Sequence, residues 1–150
     1  LLNAVEDVNT KQLEQIISIT KQKLGDLSSK RITILGTAFK PNTDDIRDSI
    51  AIKLIKKFLK RKAKITIHDP KAIKNTKNIF GEKINYGKSV KDALSKSHCA
   101  IIMTQWKQYE KLNNKEFNSM TKKLVIDCRR MLIGKELDVD YFAIGLGKEK

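Results

Sequence analysis

The sequence predicts an α/β fold, an open, doubly wound and mostly parallel sheet with flanking helices, on three observations. Short apolar runs of strand length alternate with helical periodicities along the chain. One such run opens the stretch RITILGTAFKPNTDDIRDS, from Arg31 to Ser49, in which a strand, a glycine turn, a charged polar loop and a helix start follow one another. A further strand after that helix completes a βαβ unit, whose two strands must be parallel. In such sheets ligands lie beyond the carboxyl ends of the strands, so this stretch is the first place to look for a site.

Each element has its own signal. Leu13, Ile16, Ile17, Thr20 and Leu24 repeat with helical spacing, Asn9 or Thr10 is a candidate cap, and Gly25 closes the run. Residues 1 to 25 read as helix, since Leu1, Leu2, Ala4, Val5 and Val8 also suggest a helical piece before that cap. The chain opens in mid-pattern without an initiator methionine, which predicts a piece of a longer protein. Asp26 to Lys30 reads as a linker. Ile32, Ile34 and Leu35 make the first strand, Gly36 permits its turn, and Pro41 pushes Lys40 into an extended conformation. Asp48 or Ser49 is placed to cap a helix running to about Lys60. A second strand covers Ala63 to His68, and residues 71 to 88 read as irregular, with Ile84 and Tyr86 in a short edge strand. Ser89 caps a short helix through Val90, Ala93 and Leu94. Cys99 to Met103 suits a central strand, because strands covered on both faces are apolar throughout. Short helical pieces follow within Tyr109 to Met120, then a buried strand at Leu124 to Asp127 and a last strand at Tyr141 to Ile144 that closes with Gly145 and Gly147.

With 150 residues and 40% apolar content, the chain is one ordinary soluble globular domain. No apolar run approaches the roughly 20 residues that span a bilayer, and no signal peptide opens the chain, so the expected location is cytoplasmic with no membrane partner. Cys99 and Cys128 form no CxxC and have no clustered histidines, which excludes a zinc or disulfide framework and leaves two single thiols. The net charge of +14 raises nucleic-acid binding. The lysines argue against it: Lys53, Lys56, Lys57 and Lys60 form the solvated face of one helix, and the others are scattered without aromatic interleaving. A general basic surface that attracts anions is the better reading.

Among candidate site residues, Lys40, Arg47 and Arg129 sit just past predicted strand ends, where a parallel sheet would gather them around an anionic ligand. Solvated loop cations are the alternative for Lys40 and Arg129, and a local salt-bridge network with Asp44, Asp45 and Asp48 for Arg47. Gly36 is followed by Thr37, Ala38 and Phe39, so only the first glycine of the G-x-G-x-x-G dinucleotide fingerprint is present and standard NAD binding within this sheet is not expected. Asp69 stands where a dinucleotide fold would hold a ribose hydroxyl, and equally starts a turn before Pro70. Trp106 reads as core or pocket wall, His68 and His98 as structural, and Cys128 as a small packing residue.

The stretch GTAFKPNTDDIRDS resembles the G-x-x-F-K-x-x-T-D-D-x-R-x-S signature that opens the carboxy-terminal domain of the UDP-glucose/GDP-mannose dehydrogenase family. The rest follows in the family's order: HDPKA, where the family usually has Tyr-Asp-Pro, then TQW, DCRR and YFAIG. The likeness covers residues 30 to 147. It implies a Rossmann-like UDP-sugar-binding domain over residues 30–150, preceded over residues 1–29 by the end of a central helical domain that supplies a homodimer interface. It implies an NAD-dependent enzyme that oxidises the C6 alcohol of a nucleotide sugar, with a cysteine whose G-x-C-x-P-K-D setting does not occur here. The fragment therefore carries no catalytic residue and is expected to be inactive alone, with NAD held by a domain it lacks. By position, Phe39 and Lys40 match the pair that contacts the UDP-sugar, Arg129 matches the arginine of Asp-Gly-Arg that also holds it, and Arg47 matches the arginine that reaches NAD across the cleft. Cys128 replaces that motif's glycine, which opens the question of the pocket's shape. The residues NTDD favour the UDP-glucose branch. Another nucleotide sugar (a UDP-N-acetylhexosamine or GDP-mannose) and a non-catalytic nucleotide-sugar sensor are the alternatives.

Overall fold

The computed structural model describes the backbone of residues 2–145, with side chains from residue 9 onward. Its helices are α1 (Leu2–Leu24), α2 (Ile50–Lys60), α3 (Ile73–Phe80), α4 (Val90–Leu94) and α5 (Asn114–Phe117). Its strands are β1 (Arg31–Leu35), β2 (Lys64–His68), β3 (Asn85–Tyr86), β4 (Cys99–Ile102), β5 (Leu124–Asp127) and β6 (Asp140–Ala143). The six strands form one sheet in the order β3-β2-β1-β4-β5-β6, and every neighbouring pair is parallel. The order reverses between β1 and β4, so the crevice at their carboxyl ends is the topological switch point.

Residue parity divides the core. Ile32 and Ile34 of β1, Cys99 and Ile101 of β4, and Leu124 and Ile126 of β5 face one layer, with Leu54, Ile55 and Phe58 of α2 and Leu13, Ile16 and Ile17 of α1. Leu35, Ala100, Ile102 and Val125 face the other layer, with Leu94, Trp106, Tyr109 and Phe117. Alternate residues of a strand point to opposite faces, so burial on both sides makes these strands apolar throughout. Thr33, on the second face, is satisfied by donating from Oγ1 to the Ala93 carbonyl at 2.7 Å.

The structure sharpens several local expectations. Helix α1 spans the stretch read as helix, but it runs unbroken through Asn9 and Thr10, so neither is a cap, because helix-compatible residues flank both positions and no Gly or Pro interrupts them. The expected linker is tied down: Leu27 is buried and the Ser29 amide donates to the Lys62 carbonyl at 2.9 Å. Within the stretch read as irregular, residues 73–80 form α3. The Asp69 carboxylate accepts from the Lys71 and Ala72 amides at 2.9 and 2.8 Å just ahead of it, and Thr76 and Phe80 are buried. The last strand begins one residue earlier than expected and ends at Ala143. Gly147 lies outside the described residues.

Candidate functional site

The loop from Gly36 to Asp48 leaves β1 at the switch point. Gly36 has φ +97°, and a Cβ there would lie 2.5 Å from Cβ and Oγ1 of Thr104, just past the end of β4. Glycine is needed at this position both for its backbone angle and for the close approach. The next residues are fastened from behind. Asp69 Oδ2 accepts from the Thr37 amide at 2.8 Å, the Ala38 amide at 3.0 Å and the Trp106 indole at 3.1 Å. Thr104 Oγ1 donates to the Ala38 carbonyl at 2.9 Å, and Ser49 Oγ to the Thr37 carbonyl at 2.8 Å. Ser49 does occupy the N-cap position of α2, but its hydroxyl serves the loop and makes no capping bond. Asp69 is thus a turn residue and a buried clamp, and its oxygens are taken up by protein amides and the indole.

In front of this clasp lies a pocket of about 170 Å³, lined among others by Asn9 of α1, Ala38, Phe39, Ser49, Met103 and Arg129. Phe39 is 50% exposed. The Arg129 Nε donates to the Met103 carbonyl at 2.9 Å, and its amide donates to Asp127 Oδ1 at 3.1 Å. Asp127 Oδ2 in turn accepts from the Leu132 amide at 2.8 Å and the Tyr141 hydroxyl at 2.6 Å, fixing the turn that carries Arg129. Burial lowers the Arg129 pKa from its ordinary value, the cost of holding a guanidinium in a half-buried place. Arginine stays charged across the accessible pH range, so it offers the pocket a fixed cation. The amino end of α2, whose cap hydroxyl is turned away, adds the positive end of a helix dipole to the same wall.

The other two predicted residues lie elsewhere. Arg47 lines a separate open groove with Thr43, Asp44, Asp45, Ile46 and Asn75. Its guanidinium holds Asp45 through Nε to Oδ1 at 3.0 Å and Nη2 to Oδ2 at 2.9 Å, the local salt bridge that the sequence allowed. Lys40 is exposed, and its charge helps lower the Asp45 pKa. The structure therefore brings Phe39 and Arg129 together and leaves Lys40 and Arg47 on the outer loop. Cys128 is fully buried in the layer that holds Cys99 and Met103, so its thiol packs in the core. Burial raises both thiols well above their ordinary pKa. Sequence reasoning missed Asn9, which α1 carries into the pocket, because its position required knowing where that helix docks. Among the described residues no cluster of His, Cys, Asp or Glu could hold a metal ion, and no helix is long and apolar enough to cross a membrane.

Comparison with known proteins decides the family. The sequence profile of the UDP-glucose/GDP-mannose dehydrogenase family, UDP binding domain, matches residues 33–134. The chain belongs to this family. UDP-glucose 6-dehydrogenase AglM of Haloferax volcanii is 40% identical over 141 residues, which are 94% of this chain and 32% of that protein. UDP-glucose 6-dehydrogenase YwqF of Bacillus subtilis is 28% identical over 149 residues, 97% of this chain and 34% of that protein. The solved UDP-glucose dehydrogenase of Pyrobaculum islandicum superposes with a TM-score of 0.77 at 28% identity, over 95% of this chain and 30% of that one. The sheet is thus the Rossmann-like α/β domain of the family, and the chain spans about a third of the length of these relatives.

Proposed function

We propose that this chain is the UDP-sugar-binding domain of an NAD-dependent UDP-glucose 6-dehydrogenase, an enzyme that oxidises UDP-glucose to UDP-glucuronate in two NAD+-dependent steps. The observation that carries this reading is the convergence of Arg129, Phe39 and the amino end of α2 on one pocket at the switch point. Arg129 would bind the diphosphate by its planar fork, and Phe39 would pack against the nucleotide sugar. Lys40, exposed on the outer loop next to Phe39, would add long-range positive charge towards the same ligand.

This sheet's own crevice does not fit a dinucleotide, since Thr104 fills the space beside Gly36 and Asp69 is consumed by the Thr37 and Ala38 amides and the Trp106 indole. Arg47, whose side chain is 87% exposed, fits an outer contact to NAD held on another domain. When bound there, NAD supplies hydride acceptance, and this chain orients the sugar nucleotide towards it. Both of its cysteines are buried and would not serve as nucleophiles, and on this reading the chain alone would be inactive. Residues 1–29 would be the end of the central helical domain, and the intact enzyme a homodimer.

Calorimetric titration with UDP and UDP-glucose tests the reading. Binding to the wild-type chain that is lost in Arg129→Ala is expected. An Arg129→Ala chain that binds UDP as well as the wild type would overturn the site, and a folded wild-type chain that binds neither ligand would overturn the function.

A further inference from the structure

We propose that Asp69 is a positioning residue for the ligand pocket, holding the Thr37–Phe39 wall in its binding shape and linking that wall to Trp106; the inference rests on the reading of the pocket as the UDP-sugar site. Asp69 is 2% exposed and does not line the pocket. Its carboxylate accepts from five N–H groups: Thr37, Ala38 and the Trp106 indole on Oδ2, Lys71 and Ala72 on Oδ1. None of the ion pairs among the described residues involves it. A carboxylate accepts only, so it is the one side-chain chemistry of this size that takes every one of these donors. A carboxamide would turn an NH2 group towards two or three of them.

The clamp matters for binding because of what it grips. Ala38 lies on the pocket wall and Phe39, the next residue, is held on its far side by donating its amide to the Asp45 carbonyl at 2.7 Å. The carbonyls of Thr37 and Ala38 are engaged by Ser49 and Thr104, so Asp69 supplies the remaining half of the wall's main-chain bonding. Trp106, the only tryptophan, shares Oδ2 with this wall while lying outside the pocket. A shift of the wall on binding reaches the indole through one oxygen atom.

The test compares wild type with Asp69→Asn, a change of charge without a change of size. In the ligand-free chain, amide hydrogen exchange at Thr37 and Ala38 should accelerate about tenfold, the equivalent of ~1.4 kcal/mol, while residues 32–35 of β1 keep their protection. The affinity for UDP should fall about tenfold. UDP should change Trp106 emission in the wild type and not in the variant. A role in stability alone would lower the melting temperature and leave the UDP affinity of the folded variant and its Trp106 response as in the wild type, which would overturn the proposal. If Asp69→Asn does not fold, Trp106→Phe removes one donor while keeping an aromatic side chain; faster exchange at Ala38 supports the proposal and unchanged exchange overturns it. Should the wild type fail to bind UDP, the functional reading falls separately, and exchange at Thr37 and Ala38 alone decides the clamp.

Discussion

Arg47 grips the carboxylate of Asp45 from three sides, with its backbone amide on Oδ1 at 2.9 Å, Nε on Oδ1 at 3.0 Å and Nη2 on Oδ2 at 2.9 Å. The hydrogen bond from the Arg47 side chain, followed by that from its backbone, holds the Asp45 pKa down at about 2 against an ordinary 3.8. The folded value lies below the unfolded one, so the pair stabilises the fold above pH 3.8 and this contribution is lost as pH falls through about 2. Arg47 is exposed and Asp45 is partly so, a surface setting where ion pairs contribute little to stability. Arg47→Ala should therefore return the Asp45 titration towards 3.8 in an NMR experiment and leave the melting temperature at neutral pH nearly unchanged. An Asp45 that still titrates near 2 in the variant would refute the pairing.

Replacing Arg129 with lysine separates charge from geometry. Lysine keeps the cation but has no Nε to donate to the Met103 carbonyl and no planar fork for a diphosphate. The UDP affinity of Arg129→Lys should fall roughly tenfold, ~1.4 kcal/mol, with little change in melting temperature. Wild-type affinity by calorimetry would show that charge alone suffices and that the orientation set by Met103 is irrelevant.

Gly36→Ala tests the close approach at the switch point. The new methyl would meet Thr104 Cβ and Oγ1 at 2.5 Å and the Thr104 amide at 2.8 Å, at a φ of +97° that favours glycine. Thr104 is itself fixed by its bond to Ala38 and cannot simply rotate away. Clash and backbone strain together should cost about 2–4 kcal/mol, read as a lower midpoint in urea denaturation. A midpoint within error of the wild type would mean that the loop relaxes without cost.

The strands were legible because burial on both faces removes polar residues, so CAII and LVID stand out as runs, and Gly36, directly after β1, marks the turn. The loop motif was legible because Phe39, Lys40 and Arg47 lie within one short stretch. Helix α3 was not, because its start is organised by Asp69, and a single carboxylate before a proline carries no sign of which amides it will meet. The same ambiguity hid the clamp: its partners Thr37 and Trp106 are 32 and 37 residues away. Ser49 looked like a cap and is one by position only, since a nearby carbonyl of the folded loop competes for its hydroxyl.

The two histidines should make the domain acid-sensitive in a window well above that of Asp45. His68 is buried at the end of β2, where Nδ1 lies 2.9 Å from the Tyr109 hydroxyl, and that hydroxyl donates to the His68 carbonyl at 3.1 Å. Burial lowers the His68 pKa from 6.5, with the nearby Asp69 opposing it. His98 is also lowered, by burial first and then by Lys30, Arg31 and Lys122, and its Nδ1 accepts the Arg31 amide at 3.0 Å, a bond that protonation at that nitrogen would break. In both cases the unfolded chain binds the proton more readily than the fold. The stabilisation is thus complete above pH 6.5 and is lost as pH falls below it. The melting temperature should drop between pH 7 and about pH 5, and the drop should shrink in a His68→Gln, His98→Gln double variant. A wild-type melting temperature that stays flat over that range would contradict the assignment, and a slope undiminished in the double variant would place its origin in other groups.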